Sequence, residues 1–222
     1  MSVWEQRGAS AELIVVDGGS TDGTVAWLEL QRSRIATLIS ETDHGVYDAM
    51  NKGVAAARGD WVLFLGADDE LSTELALSEI LPRLQQTAGG VVVGEIIYRD
   101  GRVYRLSTAP RPIARNFVHH QGAFYRRSLF AENGGFDPSF AIMADYEFNL
   151  RLWKNHIRFK PVSLRIAECG PRGLSDSGRW QGYREEIRAR HRYFSAARCA
   201  CWDLLTLVRY VRKKIVRSFA SD

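Results

Sequence analysis

The sequence predicts an α/β fold, a mostly parallel sheet with helices on both faces, and three observations carry that expectation. Apolar runs at 12–16, 36–40 and 61–65 have the length and the branched or aromatic character of buried strands. Each is followed by a turn of small or polar residues and then by helical periodicity, the alternation that gives a doubly wound sheet. Acids stand at these junctions, Asp17 after the first run, Asp43 and Asp48 after the second, Asp68 and Asp69 after the third. The carboxyl edge of such a sheet is where ligands bind.

Taken in order, residues 1–10 show no periodicity, and the strand at 12–16 ends at Asp17. A loop of small residues from Gly18 to Thr24 leads into a helix expected over 21–32, with Ser20 or Thr21 as its cap. Glycine lacks a Cβ and tolerates positive φ, so this loop lets backbone lie close to a ligand, and the helix start offers free N–H groups to an anion. It is not a Walker loop, since no Lys follows Gly23. After the strand at 36–40, Val46, Ala49, Met50, Gly53, Val54 and Ala57 fall on one helical face, with Asp48 and Lys52 one turn apart. The run at 61–65 reads as a central parallel strand that delivers Asp68 and Asp69 to the sheet edge. Two carboxylates there suit a hard divalent cation holding phosphate oxygens, and the same acids equally suit the entrance of a helix expected over 72–86. A strand at 91–98, a turn at Asp100 and Gly101 and a strand at 102–106 form a hairpin expected to be peripheral. Further strands are expected at 123–125 and 157–166.

Composition excludes several classes. The 222 residues, 45% hydrophobic and 25% charged, suffice for one domain with a full core, or a domain plus a tail. No run reaches the ~18 uncharged apolar residues of a membrane span, and the N-terminus has no signal-peptide pattern, so the cytoplasm is the expected location. Cys169, Cys199 and Cys201 form no C-x-x-C pair, which supports neither a disulfide framework nor a zinc site. Charge is uneven: residues 179–222 hold 11 Lys and Arg against 4 acids, a net of +7, while the whole chain is +4. A basic tail on a mildly acidic body points to an anionic surface met by that tail.

The blocks at 12–24 (Glu-Leu-Ile-Val-Val-Asp-Gly-Gly-Ser-Thr-Asp-Gly-Thr), 43–53 (Asp-His-Gly-Val-Tyr-Asp-Ala-Met-Asn-Lys-Gly) and 59–71 together resemble the family-two glycosyltransferases, in family order and at family-like spacing. His120-Gln121, the Gly-Gly-Phe-Asp-Pro at 134–138 and the Ala-Asp-Tyr-Glu-Phe-Asn-Leu-Arg at 144–151 resemble the acceptor half of bacterial members that build surface polysaccharides. The resemblance covers roughly residues 10–178. It implies a Rossmann-like, glycosyltransferase A-type fold, a nucleotide-binding part at about 10–88, an acceptor part at about 89–178 and a basic helical tail at 179–222. The resemblance implies a further strand and helix ahead of the strand at 12–16, and with these expected to be missing here an apolar sheet edge is expected to stand uncovered.

By the same resemblance, Asp17 corresponds to the acid that reads the nucleotide base, and Asp48 and Asn51 lie in the block lining the nucleotide pocket. Asp68 and Asp69 resemble the acidic pair of the metal site, with Asp69 as ligand to Mn²⁺ or Mg²⁺. The implied donor is a nucleotide-diphosphate sugar. Asp145 stands where the family places its general base for an inverting transfer, with Glu147 in reserve, although an Asp at a helix start also serves as an N-cap. His120 and Gln121 offer partners for acceptor hydroxyls, or are core residues. The Gly- and Ser-rich segment at 170–178 is expected to cover the donor. Two other readings stand beside this one: a sugar nucleotidyltransferase, whose Gly-rich loop ending in Arg and Lys is absent, and a non-catalytic nucleotide-sugar-binding protein.

In the tail, Leu204, Val208, Val211, Ile215 and Phe219 form one helical stripe opposite Arg209, Lys213 and Arg217. Such a helix either lies on anionic lipid, making the protein peripheral to the inner face of the cytoplasmic membrane and suited to a saccharide or lipid-linked saccharide acceptor, or packs its stripe on the domain.

Overall fold

The computed structural model describes residues 2–108, 110–170 and 179–219. In chain order the elements are β1 (Ile14–Asp17), α1 (Thr24–Leu30), β2 (Thr37–Ser40), α2 (Val46–Ala56), β3 (Trp61–Val62), β4 (Glu70–Leu71) and α3 (Ala76–Gln85). They continue as β5 (Val91–Tyr98), β6 (Val103–Tyr104), β7 (Ala123–Arg126), α4 (Ser128–Asn133), α5 (Ala144–Lys154), β8 (Phe159–Cys169), α6 (Trp180–Tyr193) and α7 (Ala196–Phe219).

The α/β class is as expected, but the ladders are mixed. Pairing is parallel for β1 with β2 and for β5 with β8, and antiparallel for β3 with β7, β4 with β8, β5 with β6 and β5 with β7. Strands β1 and β2 make a two-stranded sheet, and the others make a six-stranded one in the order β3-β7-β5-β8-β4, with β6 on β5. Strand β5, an uninterrupted apolar run at its start, lies buried at the centre of the larger sheet, the position such a run predicts.

Three expectations are corrected. The run at 61–65 is not a central parallel strand: only Trp61–Val62 pairs, antiparallel to β7, at the edge of its sheet. Its partner on the other side is absent from the described ladders, and an apolar cavity of about 650 Å³ separates it from β1. Leu13 and Ile14 line one wall, Leu63 and Phe64 the opposite one, with Ala57 of the α2 end and Ile80 and Leu84 of α3 closing it. Helix α1 starts at Thr24 rather than 21, because Gly23 takes φ 92° and the Asp22 carboxylate accepts from both the N–H and the hydroxyl of Thr24, at 3.1 and 2.6 Å. The hairpin of β5 and β6 is not peripheral, since Tyr98, Arg102 and Tyr104 line the main cleft.

The core gathers around α5. Phe64, Tyr125, Phe130, Phe136 and Phe148 form a continuous aromatic cluster, with Phe136 5.4 Å from Phe64 and 5.2 Å from Phe148. Edge-to-face contacts of this kind add to the burial term. Helix α6 is packed into the domain as well: its Glu185 accepts from the N–H groups of Ala141, Ile142 and Met143 at 3.2, 2.8 and 3.0 Å, fixing the segment that leads into α5.

Phe136→Ala should lower unfolding free energy by about 3–5 kcal/mol, the cost of truncating a fully packed aromatic, as read from the urea midpoint. An unchanged midpoint would show that the cluster is not the core.

Candidate active site

A cleft of about 860 Å³ opens where α2, the 63–69 run, the β5–β6 hairpin, the 115–121 segment and α5 meet. Asp43, Asp68, Asp69, His120, Gln121 and Asp145 all line it. Asp17, Asp48 and Asn51 do not, and their polar atoms are engaged in building its walls.

Asp17 ends β1 and is buried, its Oδ2 accepting from the N–H groups of Gly19 and Ser20, each at 3.0 Å, and from the Ser40 hydroxyl at 2.9 Å. These bonds, those from Ser20 foremost, hold its carboxyl below the usual range. One side chain thereby fixes the glycine loop and ties β1 to β2. Asp48 accepts from the His44 N–H at 3.0 Å and pairs with Lys52 at 3.2 Å, the one-turn pair expected on α2. Asn51 clasps the backbone of Phe136 through both amide atoms, at 2.8 and 2.9 Å. A Cβ on Gly135 would stand 2.5 Å from that Asn51 oxygen, so the glycine is required by the close approach.

At the other wall, Asp69 closes a tight turn: its N–H donates to the Gly66 carbonyl at 3.2 Å and its Oδ2 accepts from the Gly66 N–H at 2.8 Å. Asp68 is exposed in the cleft beside it, and a Cβ on Gly170 would come within 2.7 Å of its carboxylate. The buried thiol of Cys169 lies against this pair, and burial together with the Asp69 charge pushes its pKa far up, which keeps it a neutral thiol. The pair supplies hard oxygen donors. Among the described residues no group of three or more His, Cys, Asp or Glu side chains is arranged around one point. Such a donor set fits a cation that takes one or two carboxylates and completes its shell with water and phosphate oxygens, rather than one held in an all-protein cage.

Asp145, in the first turn of α5, is buried to 6% exposure. Glu185 takes the amides of Ala141, Ile142 and Met143 just ahead of that helix, and Asp145 itself accepts from a first-turn amide. Its Oδ1 lies 3.0 Å from the Tyr47 hydroxyl and accepts from the Tyr146 N–H at 2.8 Å, and its Oδ2 accepts from Asn116 Nδ2 at 2.9 Å, with His120 Nδ1 at 3.5 Å. Burial by itself raises the pKa of this carboxyl. The hydrogen bond and charge of His120, with Tyr47 and Tyr146, outweigh it and hold the group below the ordinary value, so Asp145 is ionised at neutral pH. Tyr47 responds in the opposite sense: burial and the Asp145 charge lift its pKa, and it remains a donor.

Glu147, the reserve base, is corrected. It is 1% exposed, faces α6, and is bound by Arg151 at 2.7 Å, by Arg192 at 3.4 Å and by the Tyr193 hydroxyl. It anchors α5 to α6. His119 packs 4.0 Å from the Tyr104 ring and bonds the Tyr98 hydroxyl at 2.9 Å, and burial pushes its pKa down to about 4, so it is neutral while His120 faces Asp145. The expected cover at 170–178 falls, after Gly170, outside the described residues. The sequence reading missed Tyr47 and Asn116 as partners of Asp145. Tyr47 sat inside a block already singled out, whereas Asn116 lies in an irregular segment with no pattern to mark it.

Residues 2–150 match the model of glycosyl transferase family 2. The chain belongs to that family. A PGL/p-HBAD biosynthesis glycosyltransferase of Mycobacterium tuberculosis is 35% identical over 163 residues, covering 69% of this chain and 62% of the relative. The chain thus spans about three-fifths of the length of that family-2 relative. Among solved structures, S. aureus TarS 1–349 in complex with UDP-GlcNAc superposes with a TM-score of 0.69 at 19% identity, over 93% of this chain and 66% of that one. A mannosyltransferase from Pyrobaculum calidifontis in complex with GDP-Man and Mn²⁺ gives 0.60 at 18% identity, over 99% and 74%. Both share the glycosyltransferase A-type fold with this chain. In this family-2 chain the acidic turn and the buried carboxylate are therefore two walls of one cleft.

Because the folded pKa of Asp145 is depressed, its ionisation stabilises the fold above the unfolded carboxylate pKa of about 3.9, and that contribution is lost as pH falls through the folded value. His120→Ala should move this loss to higher pH. Carboxyl NMR of Asp145 reads it directly, and an unshifted titration would remove His120 from the account.

Proposed function

We propose that this chain moves a sugar from a nucleotide-diphosphate sugar to the hydroxyl of a saccharide or lipid-linked saccharide, with inversion at the anomeric carbon. The observation that carries the reading is the pairing, in one cleft, of the Asp68–Asp69 turn with a buried and ionised Asp145. The bound UDP-GlcNAc and GDP-Man of the two structural neighbours support the donor class, and the Mn²⁺ of one supports a metal requirement.

Asp145 takes the proton of the acceptor hydroxyl, its carboxylate held in place by Tyr47, Asn116 and the Tyr146 N–H. With one such base and direct displacement, the incoming oxygen attacks opposite the departing diphosphate, which inverts the configuration. His120 and Gln121 line the acceptor side and orient sugar hydroxyls. Mn²⁺ or Mg²⁺ held by Asp69, with Asp68 beside it, would neutralise the charge of the leaving diphosphate. At the nucleotide end, Asp17 reads the base from the loop it clamps, and Asp48 and Asn51 hold the α2 wall. Residues about 10–88 then form the nucleotide part, about 89–178 the acceptor part, and 179–222 a tail that meets the inner face of the cytoplasmic membrane.

Titration calorimetry with UDP or GDP and Mn²⁺ tests the donor half: Asp69→Ala should weaken metal-dependent binding at least tenfold with the urea midpoint unchanged. Asp145→Asn should keep that binding and lower transfer by 10²-fold or more, the usual scale for loss of a general base. Near wild-type turnover in Asp145→Asn would remove it as the base.

A further inference from the structure

Helix α7 is docked the wrong way round for a helix that covers a core. Its polar side faces the protein. Arg190 of α6 is fully buried and binds Glu186 at 3.0 Å, Asp203 at 3.1 Å and the Thr206 hydroxyl at 2.8 Å, while Arg209 binds Glu186 at 2.6 Å. Arg190 also donates to the carbonyls of Ile113 and Ala114, at 3.3 and 3.2 Å. Turning the helix over would leave Arg190 and Glu186 buried without these partners, so the network fixes which side of α7 points outward.

That outward side is apolar. Leu204, Val208, Val211 and Ile215 are 63%, 55%, 51% and 51% exposed, and Leu207 and Val216 widen the stripe at 42% and 58%. At 100° per residue these six fill about half of the helix circumference, with Arg212 within that arc and Lys214 at its border, both exposed. Within the described part of α7 no acid follows Asp203, so the surface is apolar and positive together. A second copy of this helix would bring like charges face to face, and an arc this wide exceeds the narrow seam of a coiled coil. An anionic bilayer complements both properties.

We propose that α7 lies on an anionic lipid surface through its outward face, while its inward face walls the active cleft. Arg209, just beyond the border of the outward arc, and Glu186 line that cleft, so one helix stands between the lipid and the reaction site. On the transfer reading above, this names the acceptor as one whose saccharide head enters the cleft while its lipid stays in the bilayer.

Sedimentation with phosphatidylcholine vesicles, with and without phosphatidylglycerol, tests the docking on the full chain. The chain should bind the anionic vesicles and release with salt. Val208→Asp with Val211→Asp should lower partitioning at least tenfold, and Arg212→Gln with Lys214→Gln about fivefold per cation. A chain that stays in the supernatant at low salt, or binding that survives the aspartate pair, overturns the proposal. A dimer in light scattering that the aspartate pair dissociates would assign the face to a second copy and overturn it too. Nucleoside diphosphate binding, measured in parallel, keeps its wild-type value in these variants. Its absence from the wild-type chain would count against glycosyl transfer and leave the docking result standing.

Discussion

A carboxylate withdrawn from water has to be surrounded by donors, and that requirement at Asp145 organises the half of the molecule built around α5. An unpaired buried charge would cost several kcal/mol or be neutralised by protonation. Here α2 contributes Tyr47, the irregular segment before β7 contributes Asn116 and His120, and α5 contributes its own backbone. The donors arrive from parts of the chain separated by about a hundred residues, so the carboxylate can be both buried and ionised only when α2 and α5 have closed on each other. The aromatic cluster around Phe136 does that closing, and Asn51 fastens the same two regions by holding the Phe136 backbone. Packing and site formation are thus one event.

The same logic recurs at α6. Glu185 holds the segment leading into α5, Glu147 and Arg192 tie the two helices laterally, and Arg190 ties α6 to α7 and to the segment carrying Asn116. Breaking a buried pair of this kind by removing one partner leaves the other charge stranded, so these contacts specify orientation more than they add stability. The basic C-terminal region therefore does two unrelated things with its charge. Some cations are consumed inside the fold, and others remain at the surface beside an apolar stripe.

The side that carries β1 and β2 is built differently. Strands β1 and β2 are held to each other and to the glycine loop by Asp17, yet no described ladder joins them to the larger sheet, and an apolar cavity of about 650 Å³ lies between. Helix α2 spans the gap through Asn51 and Tyr47, and residues near the N-terminus add contacts of their own, with Trp4 5.9 Å from Trp27 and Gln6 bonded to the Thr73 carbonyl at 2.6 Å. The acidic turn at Asp68–Asp69 owes its shape to local bonds with Gly66 rather than to strand pairing.

By itself the sequence determined the α/β class, most elements to within a few residues, and the position of the acidic turn. All of these follow from local periodicity, turn chemistry and motif blocks, which a chain carries without reference to its neighbours in space. It did not determine that the run at 61–65 ends at a sheet edge, because buried and edge strands share the same apolar composition and differ only in what pairs beside them. Nor did it separate Asp145 from Glu147, two acids one half-turn apart on α5. Their roles diverge because one side chain points at Tyr47 and the other at Arg151 and Tyr193. The direction of α7 was likewise left open by its stripe. Only the tertiary structure decided it, since the Arg190 network occupies the polar side and leaves the apolar side to face outward.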